Sequence, residues 1–375
     1  MLIPIDLALK SSVCYHSTSP ERSGAKDMSK VQNRMSEHIM QDAAWIAERL
    51  PRVVAIDRRT EPDYYGASHL IARKLGRRQP PHSFATWGHG WKFDPVTHPR
   101  QILTVDGDQQ HLVAVESHAT LLKQNGFRHA VAVGMPFLYA DKVEVERRPG
   151  SLLVMPAHSV NDADPDWNEE SYASLIESLR PHFSTIVACV QANCVKHGYW
   201  VKAFAKRNIP WIVGASSTDA NALIRMHTIL NSFEFMTTNC IGTHIAYAAY
   251  AGCRASIYGK FVQQSYKQLA MNPFYQKYSE LLPLTRHRTS ESVVRSHYPQ
   301  FFTEPHLATY QREWAREVLG AEYVREPAEI AQLLGWNRSA QAWGSIVLAS
   351  RYSKRRILKI TDSVRKRLPK LRRAA

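Results

Sequence analysis

Cysteine is scarce in this chain, and what there is shows no sign of pairing. Cys14, Cys189, Cys194, Cys240 and Cys253 are the five cysteines of 375 residues, widely spaced and without a CxxC pair. That pattern argues against a disulfide framework and against a structural zinc site. It fits a reducing compartment, most simply the cytoplasm. Long apolar runs are also missing, since no stretch approaches the roughly 18 residues or more that a spanning helix needs. The opening MLIPIDLALKSSVCYHST carries an early Asp6 and no basic start, which makes it a poor secretion signal. There is no internal repeat, no Walker loop and no GxGxxG, so neither a P-loop nucleotidase nor a Rossmann dehydrogenase is supported. Acidic residues are in deficit, 33 against 48 Lys and Arg, a formal net charge of +15.

The excess charge is local. Residues 351–373 hold eleven Lys or Arg against the single acid Asp362, which leaves the preceding body near neutral at about +5. Within that segment Ile357, Ile360, Val364, Leu368 and Leu371 recur every three or four residues. The spacing predicts a basic helix with one narrow apolar stripe, interrupted near its end by Pro369. Such a helix suits an anionic membrane surface; the plainer reading is a solvated basic terminus. With 44% apolar and 22% charged residues the composition is globular, and the length suggests two domains.

Along the chain, residues 29–50 show apolar positions at helical spacing, 52–57 read as a buried strand and 66–75 as a helix. Short strands at 112–115 and 130–133 flank a helix that Ser117 can cap and Gly126 can end. Residues 147–150 (Arg-Arg-Pro-Gly) form a polar break and the expected domain boundary. A second series alternates strands at 152–155, 185–190, 211–213, 233–236 and 255–258 with helices at 169–179, 195–206, from 219, and 241–251. Strands of four to six residues alternating with longer helices predict parallel sheets covered on both faces. The expected fold class is therefore α/β, with doubly wound, Rossmann-like domains at 1–150 and 151–336 facing a cleft, and a helical and basic segment at 337–375. Ligands of such sheets bind outside the carboxyl ends of the strands.

Four constellations could carry chemistry. A strand delivers Thr237, Thr238 and Asn239 to its carboxyl end, and Gly242 and Thr243 open the next helix. Hydroxyls beside helix-N-terminal N–H groups make a phosphate site, although Thr and Asn merely capping the helix would look the same. In Trp87-Gly-His-Gly-Trp91 two glycines expose His89, which can serve as a general base; a histidine packed in a tight turn is the bland alternative. His158 and Ser159 stand at another strand end, ahead of the aspartates of residues 161–166. The spacing of those aspartates matches no metal loop, so no metal is expected there. Asp57, Glu61 and Asp63 put carboxylates near the presumed cleft, where ion pairs with Arg58 and Arg59 would explain them as well.

Taken in order, these pieces resemble a family. His89-Gly90-x-Lys92, then Leu122-Lys123, Gly126, and Val133-Gly134-x-Pro136, resemble the N-terminal histidine loop and following passage of bacterial polysialyltransferases and CDP-glycerol glycerophosphotransferases. The strand into residues 156–158 looks like the start of their nucleotide-binding domain, and residues 237–243 with Tyr258-Gly259 look like their phosphate-binding segment. The resemblance spans about residues 50–340; Trp91 and the Thr-Thr-Asn run depart from the family pattern. It implies a GT-B glycosyltransferase of bacterial surface-polysaccharide synthesis, at the inner face of the cell membrane. Such an enzyme uses a nucleotide-sugar donor, a glycan or lipid-linked acceptor and no obligatory metal or cofactor. His89 would be the base, with Asp57, Glu61 and Asp63 as lesser candidates, and residues 158–159 and 237–243 would hold the donor phosphates. The same fold accommodates polyol-phosphate transfer from a CDP-alcohol, or epimerisation of a nucleotide sugar. A nucleic-acid-binding protein using the tail is the reading from another class, disfavoured because no such motif or basic stripe appears; a catalytically dead scaffold also stays open.

Overall fold

The computed structural model describes residues 43–103, 107, 109–141, 143–158, 167–263 and 265–342. Two parallel sheets organise them. The first has the order β1-β2-β3, with β1 at Thr86–Trp87, β2 at His111–Val113 and β3 at Ala130–Ala132. Helix α1 (Ala67–Lys74) precedes it, and α2 (Glu116–Gln124) connects β2 to β3. The second sheet has the order β6-β5-β4-β7-β8: β4 Arg148–Val154, β5 Thr185–Val190, β6 Trp211–Val213, β7 Phe233–Thr238 and β8 Arg254–Ile257. Its crossovers contain α3 (Glu169–Glu177), α4 (Ala192–His197), α5 (Val201–Ala205), α6 (Ala222–Ser232) and α7 (Thr243–Ala251).

The burial of alternate side chains shows why this sheet is covered twice. Leu152 and Val154 of β4 pack with Tyr172, Ile176 and Phe204 of α3 and α5. Leu153, between them, points the other way, into a core with Ile229 of α6 and Ile245 of α7. A strand buried on both faces must be apolar throughout, as the run Thr-Ile-Val-Ala-Cys-Val of β5 is. The chain enters the sheet at its centre, works outward to β6, then returns to the other side of β4 as β7, in register Val154 with Thr237. The order thus reverses between β4 and β7, and the connections that leave them run to opposite faces of the sheet, which leaves a crevice outside their carboxyl ends. The α/β class with two parallel sheets stands as the sequence indicated.

Several local expectations are corrected. Residues 52–57 are not a buried strand. Val53 and Val54 are each 48% exposed, and the segment only skirts the protein through an isolated bridge, Ala55 with Asp219. Its apolar composition resembles a core strand, but its backbone bonds to residues 218–220 and joins neither sheet. The helix expected over 195–206 is two helices, α4 and α5. Gly198 at φ 78° ends the first, and Trp200 at φ 68° turns a fully buried indole inward, where its Nε1 donates to the Ala157 carbonyl at 2.8 Å. Helix α2 begins at Glu116 with Val115 as its uncapped start, so Ser117 does not cap it. Strand β1 is only two residues long, too short to show a period in the sequence.

Beyond β8 the chain is helical, including α8 (Leu281–Arg288), and it then returns to the first sheet. Helix α9 (Arg312–Leu319) ends at Gly320, and Met135 N–H donates to the Leu319 carbonyl at 2.9 Å. A Cβ on Gly320 would lie 1.9 Å from the Ala114 carbonyl oxygen, so this crossing admits only glycine. After α10 (Pro327–Leu333), Phe84 N–H donates to Leu334 O at 3.0 Å and Trp336 Nε1 to Ser83 Oγ at 3.1 Å. The basic segment 351–373 lies outside the described residues.

Candidate functional site

A cavity of about 1050 Å³ opens at the β4/β7 crevice, and the loop following β1 forms part of its wall. That loop is held from both sides. Trp87 is 1% exposed, donates from Nε1 to Gly134 O at 3.1 Å and packs edge-on against Tyr139. Trp91 is 5% exposed and sits among Phe93, Tyr298 and Trp314, with ring centroids 5.3–5.7 Å away. With both indoles in the core, Gly88-His89-Gly90 bridges the gap between them. His89 lies flat against Tyr64 (5.2 Å, 4°), which carries Arg58 on its ring, and tilted against Tyr65 (5.1 Å). Tyr65 holds φ 57°, a costly conformation for a tyrosine, fixed by its N–H donating to Ser217 O at 3.0 Å.

Two hydrogen bonds tie this loop to α7. Trp91 N–H donates to Thr243 Oγ1 at 3.0 Å, and Tyr247 O–H donates to the His89 carbonyl at 3.1 Å. The His89 loop and the N-terminus of α7 thus adjoin and line the same cavity, although they belong to different sheets. Burial, with Lys92 and Arg58 adding repulsion, lowers the His89 pKa to about 4. The imidazole is therefore neutral near pH 7, and its buried Nδ1 has no hydrogen-bond partner.

The other carboxylate candidates separate by environment. Asp63 is 1% exposed and fully engaged, accepting from the N–H groups of Arg59 (3.0 Å) and Thr60 (2.9 Å) and from the hydroxyls of Thr60 (3.1 Å) and Ser68 (2.5 Å). It closes a capping box at the turn Glu61–Gly66. Asp57 is exposed on the outer strip and does not line the cavity. Glu61 lies behind the histidine loop, bordering a small void of about 20 Å³ with Lys92 and His118. Burial raises its pKa while Lys92 opposes the rise; the pKa of Lys92 is lowered by burial and held up by Glu61. Gly90 borders both spaces.

Of the residues expected at the phosphates, His158, Gly242 and Thr243 line the cavity. Ser159 and residues 161–166 lie outside the described residues. Thr237, Thr238 and Asn239 are at most 2% exposed and stand behind the wall. Thr237 Oγ1 accepts from Ser256 Oγ at 2.9 Å, inside the sheet. Asn239 Oδ1 accepts from Ala157 N–H at 2.8 Å, which pins the end of β7 to the end of β4. Thr238 Oγ1 lies 3.0 Å from His244 Nε2. Thr243 spends its hydroxyl on Trp91. These residues therefore build the crevice, and the backbone of the first α7 turn is what they present to it.

Sequence reasoning missed three contributors. His244, in the first turn of α7, lines the cavity, and burial with His158 nearby lowers its pKa to about 3. Its position directly after Gly242-Thr243 was the available signal. Arg288, the last residue of α8, lines the far side over the Phe93 ring at 4.9 Å, and its Nε is buried without a partner. Gln191 at the end of β5 lines it too, while accepting from Asn193 N–H at 2.7 Å. Nothing local marks the last two, because they reach the cavity only through the sheet order and the returning helices. The arrangement suits an anionic, polyfunctional ligand: a helix N-terminus and an arginine for negative charge, and a neutral imidazole positioned to accept a proton. Among the described residues no cluster of metal-ligating side chains occurs.

No protein-family model and no curated protein matches the chain. Among solved structures it is similar to the S. aureus MnaA–UDP co-structure, with 14% identity over 74% of this chain and 77% of that one and a TM-score of 0.33. It is also similar to the GtfA/B complex, with 12% identity over 69% of this chain and 53% of that one and a TM-score of 0.26.

Proposed function

We propose that the chain is a GT-B-type glycosyltransferase that takes a sugar from a nucleotide-activated donor and passes it to an acceptor hydroxyl. One observation carries the reading: the N-terminus of α7 and the His89 loop, from separate sheets, are hydrogen-bonded side by side and line one cavity of about 1050 Å³. In this reading the donor phosphates lie at the first turn of α7, beside His158 and Arg288. The charge that grows on the departing nucleotide meets fixed N–H dipoles and cations, which stabilise it without rearrangement. His89, neutral and buried, takes the acceptor proton. Attack by one hydroxyl activated in this way, on the face opposite the leaving phosphate, inverts the anomeric centre. Asp63 has no place in this chemistry, because its oxygens are committed to the fold.

The test is a thermal-shift panel of CMP, CDP, UDP and GDP. A nucleotide at a hundred times its Kd stabilises the native state by about 2.7 kcal/mol, and at least one should do so. If none raises the melting temperature, the reading fails. Nucleotide release with and without candidate acceptors then separates glycosyl transfer from polyol-phosphate transfer or epimerisation.

The acceptor and the location complete the proposal. No helix among the described residues is long and apolar enough to cross a membrane. The eleven cations of residues 351–373 are proposed to hold the enzyme on an anionic surface, where a lipid-linked acceptor resides. Co-sedimentation with anionic vesicles at about 0.15 M salt should fall when residues 351–375 are deleted; unchanged binding would remove the anchor from the account.

A further inference from the structure

We propose that His244 gives a hydrogen bond from Nδ1 to the donor's phosphate as a neutral imidazole, and that Thr238 is the positioning residue that fixes this tautomer. The inference rests on the placement of the donor argued above and names the side chain that would meet it. Helix α7 begins at Thr243, so His244 stands in its first turn with its ring lining the cavity. Nε2 is already committed, 3.0 Å from Thr238 Oγ1. Only Nδ1 is left for a ligand, and a helix N-terminus favours an anion, which accepts hydrogen bonds. For Nδ1 to donate, Nε2 must accept from the Thr238 hydroxyl. That hydroxyl can in turn accept from the Cys240 thiol, 3.6 Å away.

The electrostatics agree. The titratable groups acting on His244 are His158, from the end of β4, and the Cys240 thiol behind Thr238. Burial pushes the thiol up to about 11, so it remains an S–H donor at the head of the chain. Burial and His158 hold His244 uncharged, and the positive end of α7 acts with the same sign. A Cβ on Gly242 would lie 2.8 Å from the His244 Cε1, so the residue before the helix must be the one that leaves the imidazole room. Thr238 would then influence the donor without touching it, whereas Thr237, the preceding residue on the other face of β7, would not.

The experiment uses the full chain labelled with ¹⁵N-histidine, saturated with the nucleotide that gives the largest thermal shift. His244→Asn assigns the signal. The expected spectrum shows Nδ1 protonated and Nε2 unprotonated at pH 7, unchanged from pH 5 to 8. Nucleotide affinity should fall at least tenfold in His244→Ala and remain within about threefold in His244→Asn, whose amide N–H replaces Nδ1–H. Thr238→Val should lose affinity in the same direction, and Thr237→Val should not. An Nε2–H tautomer or an imidazolium in the complex overturns the assignment, as does unchanged affinity in His244→Ala. The wild-type spectrum decides the matter if His244→Ala does not fold. Failure of every nucleotide to bind wild-type protein would instead refute the donor site itself, and this inference with it.

Discussion

The hydrogen bonds between the His89 loop and α7 can be weighed one at a time, because each can be removed with little change of shape. Thr243→Val keeps the volume but takes away the acceptor of Trp91 N–H, which is partly buried. An orphaned donor in such a place costs about 1–3 kcal/mol. Tyr247→Phe keeps the ring stacked on Phe137, at 4.0 Å and 9°, and removes only the O–H that serves the His89 carbonyl. That loss should cost about 0.5–1.5 kcal/mol. Both bonds hold the same short loop, so once one is gone the other constrains less. The double variant should therefore lose less than the sum of the singles, with a coupling of at least about 0.5 kcal/mol. Urea unfolding of the four proteins measures this cycle. Function should respond more strongly than stability: a displacement of about 1 Å at a reacting group costs on the order of a hundredfold in rate. Turnover should thus drop by tenfold or more in either single variant while nucleotide affinity stays within about threefold. Additive stabilities together with unchanged turnover would refute the idea that α7 positions the base.

Other predictions follow from the same geometry. His89→Ala should reduce turnover at least about a hundredfold with donor binding nearly intact; in the wild type the acidic limb of the rate profile should fall near pH 4 rather than 6.5, since the base must be unprotonated. His118, 8% exposed, has its pKa lowered to about 4 by burial and by Lys92. The unfolded chain takes up that proton first as pH falls, so its contribution to stability is present above pH 6.5 and lost toward pH 4. By pH 5 the loss is about 2 kcal/mol, and denaturation of His118→Leu should lack that part of the slope. Gly320→Ala combines a left-handed backbone at φ 73° with a contact at 1.9 Å, and should cost at least about 3 kcal/mol in chemical denaturation. A loss under about 1 kcal/mol would mean that the return of α9 onto the first sheet is not tight.

What the sequence by itself determined is the part governed by local periods. The alternation of short apolar runs with longer amphipathic segments located β4 to β8 within a few residues, because a strand covered on both faces has to be apolar throughout. It also located the histidine between two glycines, but not its burial against Tyr64 and Tyr65. Tertiary structure decided the rest. Residues 52–57 are apolar enough for a core strand, yet lie on the surface, bonded to residues 218–220 and to neither sheet. Asp63 and Thr238 have the chemistry of a base and a phosphate ligand, but their oxygens are taken by a turn and by His244. Arg288 and Gln191 are unremarkable in sequence and reach the cavity only because the β6-β5-β4-β7-β8 order and the helices after it bring them there. A side chain's chemistry is written in its residue type, but whether that chemistry is free to act depends on which hydrogen bonds the fold has already claimed.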